Sequence, residues 1–383
     1  MHAIRNIGLA GTGFIANGFA RLIALHYPQY RLNAILTRRK PSDITGFPFA
    51  EALTNSLDEL IEKSELIVEC SGDPIHATVV VDRALRAGRP VVTMNSEFHI
   101  TTGSYFVDKG FVTEAEGDQP GCLAALHEDV VQMGFKPLVY GNMKGYMNHN
   151  PTREDMQYWA DRQGFSLSQT TSFTDGTKLQ IEQAFIGNGM GATILQQGMV
   201  GMQKDESDDA AKVLAAKAQA FGQPIADYTI SRTQPPGVFI AALHDEAERI
   251  PLRNIKMGDG PFYVLTRNYH LCAIEIAKTV TRVLNGGGVL LNNSRKPRLG
   301  VLAIAKTALP KGHRIEQAIG GFELRGEVAL VQDNPRHVPI GVLKGGVLAR
   351  ALEPGQVVTY DDVELPESMA LTIVRDLFAP ISA

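Results

Sequence analysis

The hydrophobic pattern of the first part of the chain alternates short apolar runs with amphipathic stretches. Four apolar runs, RNIGLA, YRLNAILTR, SELIVECSG and RPVVTMNS, have the length and composition of buried parallel strands. Between them the pattern predicts amphipathic helices at residues 17–26, 57–63 and 76–88. Such a strand–helix succession predicts an α/β fold with an N-terminal Rossmann-type parallel sheet.

The pattern changes in the middle of the chain. Residues 138–152 read LVYGNMKGYMNHNPT, a strand followed by a glycine-containing loop, and residues 153–164 form an amphipathic pattern. Strand-like runs follow at 235–243 and 260–272, and a helix is predicted over 272–284. These elements predict a central α+β domain that carries catalytic groups on its loops.

A glycine-rich segment, NGGGVLLNNSRKP at residues 285–297, precedes a further change in composition. Residues 300–370 are short β runs separated by turns, which predicts a small C-terminal all-β domain. Within it, ALPKGHRI and ALEPGQVVTYDDV form a weak internal repeat. The predicted domains are therefore a first domain over 1–137, a catalytic, substrate-binding and oligomerisation domain over 138–295, and a β domain over 296–383.

The first predicted strand leads directly into a G-x-G-x-x-A sequence, Gly11 to Ala16, and then into a helix. In dinucleotide-binding proteins the first glycine permits a tight turn, and the second lets the pyrophosphate approach the backbone. The small third residue allows close helix–strand packing. The helix N-terminus then offers amide donors to the phosphates. We therefore expect a dinucleotide to contact Gly11, Gly13, Phe14 and Ile15.

The residues after the second strand distinguish the two nicotinamide dinucleotides. An Asp or Glu at this position binds the ribose 2′-hydroxyl of NAD, whereas cationic side chains accommodate the 2′-phosphate of NADP. The sequence here is Leu36-Thr37-Arg38-Arg39-Lys40, without an acidic residue. We therefore predict NADP, bound through Arg38 and Arg39, with NAD as the alternative.

Polar residues also follow the next two main strands. Ser71 and Gly72 come after the run SELIVE, and Asn95 follows VVT. Because the carboxyl ends of parallel strands line the ligand crevice in such folds, we expect these residues to contact the nicotinamide side of the cofactor. Glu97 is either a further crevice residue or an acid that stabilises the start of the next helix.

The segment TDGTKLQIE, residues 174–182, has an unusual distribution of charge. Plotted as a helix starting near Asp175, at about 100° per residue, the charged residues Asp175, Lys178 and Glu182 fall within the same roughly 160° arc as the apolar residues Leu179, Phe185 and Ile186. Gln180 and Gln183 fall on the opposite side. Because buried charges are costly unless they are paired or used, the helix is predicted either to carry a structural ion-pair network or to face a reaction site.

A lysine beside carboxylates is a suitable proton donor to a developing alkoxide in hydride transfer. Lys178 is the first candidate, with Asp175 and Glu182 either tuning it or holding a divalent cation through their oxygens. Lys144 is the second candidate, because the predicted glycine-flanked loop could bring it to a substrate carbonyl or phosphate; the alternative is an exposed loop lysine. The metal requirement stays open.

Composition narrows the class of protein. The chain has 383 residues, 20% of them charged, and a formal net charge of −4, without the basic surplus of nucleic-acid-binding proteins. No apolar run approaches the roughly 20 residues of a membrane span, and no signal-peptide pattern precedes the first strand. Three scattered cysteines predict reduced thiols. We expect a cytoplasmic homo-oligomer that acts on a small-molecule substrate, without nucleic-acid or membrane partners.

The order of GxGxxA, VVTMNS, GNMKGY, TDGTKLQIE and GPFYVLTRNYHL resembles the homoserine-dehydrogenase-like oxidoreductases. AKTALPKGHRI and ARALEPGQVVTYDDV resemble the SAF domain that one branch of this family carries at its C-terminus. The resemblance spans nearly the whole chain and implies an NAD(P)-dependent oxidoreductase. Within that branch it implies the 1-deoxy-D-xylulose 5-phosphate reductoisomerase-like enzymes, which form 2-C-methyl-D-erythritol 4-phosphate with NADPH for isoprenoid precursor biosynthesis.

The sequence departs from that family in places that bear on the substrate. Homoserine dehydrogenases carry an Asn-Lys pair where this chain has Asn95-Ser96, which argues against homoserine. Ser96-Glu97 matches the metal motif of the ordinary reductoisomerase only in part. The expected activity is NADP(H)-dependent oxidoreduction of a small polyhydroxylated or phosphorylated substrate. The alternatives are a simple sugar-acid or alcohol dehydrogenase and, in another class, a non-catalytic nucleotide-binding sensor with an SAF interaction module.

Overall fold

The computed structural model describes residues 4–204, 207–233 and 235–378. Within these ranges the strands are β1 (Arg5–Ala10), β2 (Tyr30–Leu36), β3 (Leu53–Thr54), β4 (Leu66–Glu69), β5 (Val91–Thr93), β6 (Val112–Glu114), β7 (Lys136–Lys144), β8 (Met202–Gln203), β9 (Ile225–Ile230), β10 (Gly237–Leu243), β11 (Tyr263–Arg267), β12 (Leu299–Ala305), β13 (Leu324–Leu330), β14 (Val347–Leu348) and β15 (Val363–Glu364).

The α-helices over the same ranges are α1 (Phe14–His26), α2 (Leu57–Glu62), α3 (Pro74–Arg86), α4 (Ser96–Phe98), α5 (Ser104–Phe106), α6 (Gln119–Gln132), α7 (Arg153–Gln163), α8 (Leu167–Thr174), α9 (Thr177–Met190), α10 (Ser207–Phe221), α11 (Arg249–Asn254), α12 (Ile276–Leu284) and α13 (Met369–Leu377). A π-helical segment, His99–Gly103, joins α4 to α5. None of the helices in the described part of the chain is both long enough and apolar enough to cross a membrane.

The chain divides into two units, each assembled from separate segments. The first contains the chain up to Gly121, together with His270–Arg295 and Ser368–Leu377. The second contains Cys122–Tyr269, Lys296–Glu367 and the chain from Phe378. The division therefore differs from the predicted boundaries after residues 137 and 295, since most of the predicted β domain lies in the same unit as the central elements. Residues 379–383 of that predicted domain lie outside the described residues.

The first unit contains a six-stranded sheet with strand order β3-β2-β1-β4-β5-β6. Every neighbouring pair is parallel, which confirms the Rossmann-type prediction. Apolar side chains project from both faces of the sheet, as expected for a parallel sheet covered by helices on both sides. Leu9 packs with Phe19 of α1 and Ile276 of α12 in one layer. Ile67 packs with Val80 of α3 and Ile373 of α13 in another.

The second unit contains a five-stranded mixed sheet with strand order β11-β10-β7-β9-β8. Central strand β7 runs antiparallel to β10 and parallel to β9. Helix α10 covers one face, where Leu214 and Ala218 pack against Val139 and Phe239. The C-terminal part of the unit contributes small antiparallel pieces, β12 with β13 and β14 with β15, in agreement with the predicted β character.

Helix α9 lies between the β7–β9 part of the sheet and the β12–β13 pair, which it contacts on its other side. Every residue from Thr177 to Asn188 is therefore buried. The backbone N–H groups of Gly326 and Val328 on β13 donate to the side-chain oxygens of Thr177 and Gln180, both over 2.9 Å. The polar side chains of the helix thus provide hydrogen-bond acceptors for backbone N–H groups at the edge of β13.

These contacts correct the helical interpretation of residues 174–182. The helix begins at Thr177, close to the predicted start, but Asp175 is not part of it, because Gly176 adopts a left-handed conformation, with φ of 86°, and Asp175 terminates α8. The side of Gln180 and Gln183 is buried as well. Gln183 donates from Nε2 to the backbone carbonyl of Tyr140 over 3.1 Å. A helix covered on two sides has no solvent face, so its charges could not be interpreted from an amphipathic plot.

Candidate active site

The two glycines of the G-x-G-x-x-A sequence meet different steric requirements. Gly11 has φ of 120°, and a Cβ atom there would lie 2.7 Å from the backbone carbonyl oxygen of Cys70. A Cβ at Gly13 would meet no atom within 4 Å. Gly13 is also the N-cap of α1 and provides no side-chain cap. The loop therefore passes close to β4 through Gly11, while the open space at Gly13 and the start of α1 fit a pyrophosphate group.

Both arginines after β2 lie beside this loop. Arg39 donates from Nη2 to the carbonyl oxygen of Thr12 over 2.9 Å and to its hydroxyl oxygen over 3.0 Å. Arg38 donates from Nη1 to Oδ2 of Asp73 over 2.7 Å, and its side chain is 58% exposed. Asp73 also caps α3 by accepting N–H bonds from Ile75 and His76. The cationic groups expected for a 2′-phosphate are thus present, and Asp73, which the sequence analysis missed, orients one of them.

Ser71 and Gly72 lie in the turn after β4, and Asn95 lies in the turn after β5, at the carboxyl edge of the sheet. Gly72 takes a left-handed conformation with φ of 65°. Asn95 is fully buried and accepts the N–H of Phe98 over 3.0 Å, which makes it the N-cap of α4. These turns are held from below by Glu69, the last residue of β4, whose carboxylate accepts the N–H of Ser71 over 2.7 Å. An acid inside an otherwise apolar strand was the sequence signal for Glu69.

A second buried acid lies two strands away. Nε2 of His99, in the π-helical segment, is 3.3 Å from Oε2 of Glu114 at the end of β6, and both side chains are fully buried. Burial penalises the charged imidazolium and lowers the pKa of His99 to about 3. His99 is therefore neutral at physiological pH. This pair belongs to the interior of the first unit and was not found from the sequence.

In the second unit, Lys178 and Glu182 face each other one turn apart on α9. Nζ of Lys178 is 4.0 Å from Oε1 of Glu182, and their side chains are 10% and 1% exposed. The other carboxylate oxygen, Oε2, accepts a hydrogen bond of 2.9 Å from the side-chain amide of Asn142 on β7. A cation in the first helical turn is opposed by the helix macrodipole, and the carboxylate one turn later compensates for it. The two side chains therefore lie close together, as expected for residues four positions apart on one helix, and they are buried together with the rest of Thr177–Asn188.

Asp175 has a different partner from the one expected. Its Oδ2 atom is 2.5 Å from Nζ of Lys306, and its Oδ1 atom accepts the N–H of Thr177 over 2.8 Å. Nζ of Lys306 also donates to the carbonyl oxygen of Gly321 over 2.9 Å. Asp175 is therefore part of a buried ion pair with a lysine that the sequence analysis did not single out.

Lys144 is the last residue of β7 and does not lie in a loop, which corrects the predicted position. Its backbone pairs with β9 at Ile230, and its carbonyl oxygen accepts the N–H of Ser231 over 2.9 Å. Side chains two residues apart on a strand point to the same face of a sheet. The side chain of Lys144 therefore projects from the same face of β7 as that of Asn142, which contacts Glu182. Lys144 is half-buried.

No group of three or more His, Cys, Asp or Glu side chains suited to holding a metal ion occurs among the residues that the structure describes. Within the same ranges, Asp175 and Glu182 contact separate partners, Lys306 and Asn142 respectively.

Two family models match parts of the chain. A family model described as "Oxidoreductase DRL, catalytic domain" matches residues 117–276. A second model, "Homoserine dehydrogenase, NAD binding domain", matches residues 11–104, which include the glycine loop and the arginines after β2. No curated protein sequence shows a significant match to the chain. The two family matches define the chain as an oxidoreductase with an N-terminal region that binds a nicotinamide cofactor.

Solved structures with a similar chain trace include three dehydrogenases. A probable dehydrogenase from Thermotoga maritima is 12% identical, with 74% of this chain and 90% of that chain covered and a TM-score of 0.43. A myo-inositol dehydrogenase from Corynebacterium glutamicum is 14% identical, with coverage of 74% and 90% and a TM-score of 0.44. Homoserine dehydrogenase from S. aureus is 12% identical, with coverage of 87% and 96% and a TM-score of 0.41.

Proposed function

We propose that the protein is an NADP(H)-dependent oxidoreductase that acts on the carbonyl or hydroxyl group of a small polyhydroxylated or phosphorylated substrate. The observation that carries this proposal is the buried pair of Lys178 and Glu182, held by Asn142 at the end of β7. A largely buried ammonium group with one carboxylate neighbour is suited to proton exchange with a substrate oxygen.

The preference for NADP is supported by the side chains around the glycine loop. Arg38 and Arg39 follow β2, where NAD-binding sites usually have an acid for the ribose hydroxyl. Arg38 is exposed and is oriented by Asp73, so its guanidinium group can pair with a 2′-phosphate in a charge-assisted interaction. Gly11, Gly13, Phe14 and Ile15 would hold the pyrophosphate, and Ser71, Gly72 and Asn95 would contact the nicotinamide half.

Reduction of a carbonyl adds a hydride to carbon and a proton to oxygen, and a bound NADPH would be the source of the hydride. We assign the proton to Nζ of Lys178, which releases it to the developing alkoxide. Glu182 holds the ammonium in place, and Asn142 fixes the orientation of Glu182. Lys144, on the same face of β7 as Asn142, is the second candidate for contacting the substrate oxygen or a phosphate group.

Asp175 takes a supporting role in this proposal. Its carboxylate accepts the N–H of Thr177, the first residue of α9, while Lys306 neutralises its charge. The residue therefore fixes where the helix starts and, through it, the position of Lys178. We assign proton transfer to Lys178 and the anchoring of its helix to Asp175.

The resemblance of the sequence to reductoisomerase-like enzymes makes 1-deoxy-D-xylulose 5-phosphate the first substrate to test. In that reaction the carbon skeleton rearranges to an aldehyde before the hydride is added, and a divalent cation chelated by vicinal oxygens would ease the rearrangement. A simple sugar-acid or alcohol dehydrogenase would oxidise and reduce its substrate reversibly without carbon migration. We further propose a cytoplasmic homo-oligomer whose C-terminal β segment is SAF-like.

The test follows NADPH oxidation with 1-deoxy-D-xylulose 5-phosphate, with Mg²⁺ or Mn²⁺ and then without, and identifies the product. Formation of 2-C-methyl-D-erythritol 4-phosphate would establish the reductoisomerase reaction. Turnover only with polyol phosphates or sugar acids would favour the simple dehydrogenase. NADPH binding without turnover of any carbonyl substrate would favour the sensor and refute the catalytic proposal.

A further inference from the structure

Glu69 is a fully buried acid at the carboxyl end of β4, in a strand whose other residues are apolar. It lies in a row across the parallel sheet in which Ala10, Glu69, Thr93 and Glu114 are aligned on adjacent strands. A buried carboxylate is costly unless it is hydrogen-bonded, and an apolar residue would pack in its place without that cost. Packing alone therefore does not explain why an acid occupies this position.

The two carboxylate oxygens of Glu69 accept hydrogen bonds from two different segments of the chain. Oε1 accepts the backbone N–H of Ser71, in the turn after β4, over 2.7 Å. Oε2 accepts the hydroxyl of Thr93, the last residue of β5, over 3.0 Å. Thr93 in turn accepts the backbone N–H of Asn95 through the same hydroxyl oxygen, over 3.1 Å. One side chain thus connects the turn that carries Ser71 and Gly72 to the turn that carries Asn95.

The electrostatics of the site agree with this bridging arrangement. Burial raises the pKa of Glu69, and hydrogen bonds from Ser71, together with interactions of the Asn95 and Thr93 side chains, oppose that increase. Ser71 contributes through both its backbone and its side chain. The groups that stabilise the carboxylate therefore all come from the two turns at the edge of the sheet.

We propose that Glu69 is a positioning residue that sets the spacing between the Ser71-Gly72 turn and the Asn95 turn, so that both contact the nicotinamide half of the cofactor at once. This inference rests on the proposed function, because it takes those turns as part of the cofactor site. It adds a residue that contacts neither cofactor nor substrate and acts through Ser71 and Thr93.

The experiment compares two ligands on the wild type and on Glu69→Gln. NADPH contains the nicotinamide ring, whereas 2′-phospho-ADP-ribose has the same adenosine phosphate and pyrophosphate without it. A glutamine amide keeps the shape of the side chain but can accept with only one of its two terminal atoms. The loss of a hydrogen bond to a charged group corresponds to roughly tenfold to hundredfold in affinity. We expect Glu69→Gln to lower the affinity for NADPH by about that factor. The affinity for 2′-phospho-ADP-ribose should fall by less than about twofold.

Glu114→Gln is the matched control, since Glu114 is equally buried in the same row but pairs with His99. It is expected to leave the affinity for NADPH within about twofold of the wild type. If Glu69→Gln does not fold, Thr93→Val and Thr93→Ser provide the test. Thr93→Val removes the hydroxyl that joins Glu69 to the Asn95 turn and should weaken NADPH selectively, while Thr93→Ser keeps the hydroxyl and should restore binding.

Equal weakening of both ligands by Glu69→Gln, or the same effect from Glu114→Gln, would overturn the inference, because either result would indicate a general loss of structure. An unchanged affinity for NADPH in Glu69→Gln and Thr93→Val would overturn it as well. A wild-type protein that bound neither ligand would instead refute the proposed cofactor site itself. The wild-type titration therefore separates failure of the proposed function from failure of the positioning role.

Discussion

Nζ of Lys306 lies 2.5 Å from Oδ2 of Asp175, and the two side chains are 3% and 0% exposed. The residues are 131 positions apart in the sequence. Lys306 follows β12, whereas Asp175 ends α8 and caps the first N–H group of α9. The ion pair therefore joins the C-terminal β segment to the start of the helix that carries Lys178, and both of its side chains are almost completely buried.

Lys306→Met is expected to destabilise the protein strongly, because it leaves the carboxylate of Asp175 buried without a counter-ion. Removal of one partner of a buried pair typically costs about 3–5 kcal/mol. The free energy of unfolding from urea denaturation measures this loss. The double variant Lys306→Met/Asp175→Asn should recover a large part of it, since a neutral amide can still accept the N–H of Thr177. A loss below about 1 kcal/mol in the single variant, as for an exposed pair, would contradict the structural role.

Lys178→Met is expected to lower kcat by about 10²–10⁴-fold, the usual contribution of a positioned general acid. The affinity for NADPH should stay within about twofold, because Lys178 is not among the groups assigned to the cofactor. Lys217→Met, at an exposed position of α10, is the matched control and should keep full activity. Equal losses of cofactor binding and turnover in Lys178→Met would point to a folding role and against proton transfer.

Gly11→Ala and Gly13→Ala should separate folding from cofactor binding. At Gly11 the new Cβ would meet the carbonyl oxygen of Cys70 at 2.7 Å with φ at 120°, so a loss of about 1–3 kcal/mol in unfolding free energy is expected. At Gly13 the Cβ meets no protein atom within 4 Å. Gly13→Ala should therefore fold with a stability change within about 1 kcal/mol, yet weaken NADPH at least about tenfold by obstructing the pyrophosphate. Normal NADPH affinity in Gly13→Ala would exclude this placement of the cofactor.

Arg38→Gln is expected to weaken NADPH by roughly tenfold or more while changing the affinity for NADH by less than about twofold, because only NADPH carries the 2′-phosphate. Asp73→Asn supplies the complementary test. Asparagine keeps the cap of α3 but no longer neutralises Arg38, so the preference for NADPH over NADH should increase. Titration of each variant with NADPH and with NADH gives two dissociation constants, and their ratio measures the preference for NADPH. An identical ratio in the wild type and Arg38→Gln would favour NAD.

His99 should make stability depend on pH below neutrality. Its pKa falls from an ordinary value of 6.5 to about 3 in the folded protein. The unfolded chain therefore binds more protons between these values, and the folded state loses about 1.4 kcal/mol per pH unit as the pH falls below 6.5. Above pH 6.5 this contribution is fully present.

His99→Asn removes that titration, so its free energy of unfolding should decrease less steeply than that of the wild type between pH 6 and about pH 4. The raised pKa of Glu69 acts in the opposite direction, but it is common to both proteins and cancels in the comparison. Parallel pH profiles of the two proteins in urea denaturation would show that His99 is accessible to protons in the folded state.

The parallel sheet of the first unit and the glycine-containing turn after its first strand could be predicted from the sequence, but the contribution of residues 270–295 and 368–377 to that unit could not. Parallel strands covered on both faces are continuous apolar runs, and the G-x-G-x-x-A turn lies between adjacent elements, so both signals are local in the chain. The position of Arg39 beside the glycine-containing turn could be expected for the same reason, since it lies at the end of a predicted strand. That Lys178 and Glu182 lie close together could also be predicted, because residues four positions apart on one helix are neighbours.

The groups that these side chains contact depend on the tertiary structure and could not be predicted. Helix α9 is covered by β7 and β9 on one side and by β12 and β13 on the other, so an amphipathic plot could not show that Gln180 is buried too. The partner of Asp175 comes from a distant segment, and the role of Glu69 depends on two turns that approach each other only when β4 and β5 pair. A sequence pattern reports the preferences of neighbouring residues, whereas an ion pair or a bridging carboxylate depends on distances between segments that only the folded chain brings together.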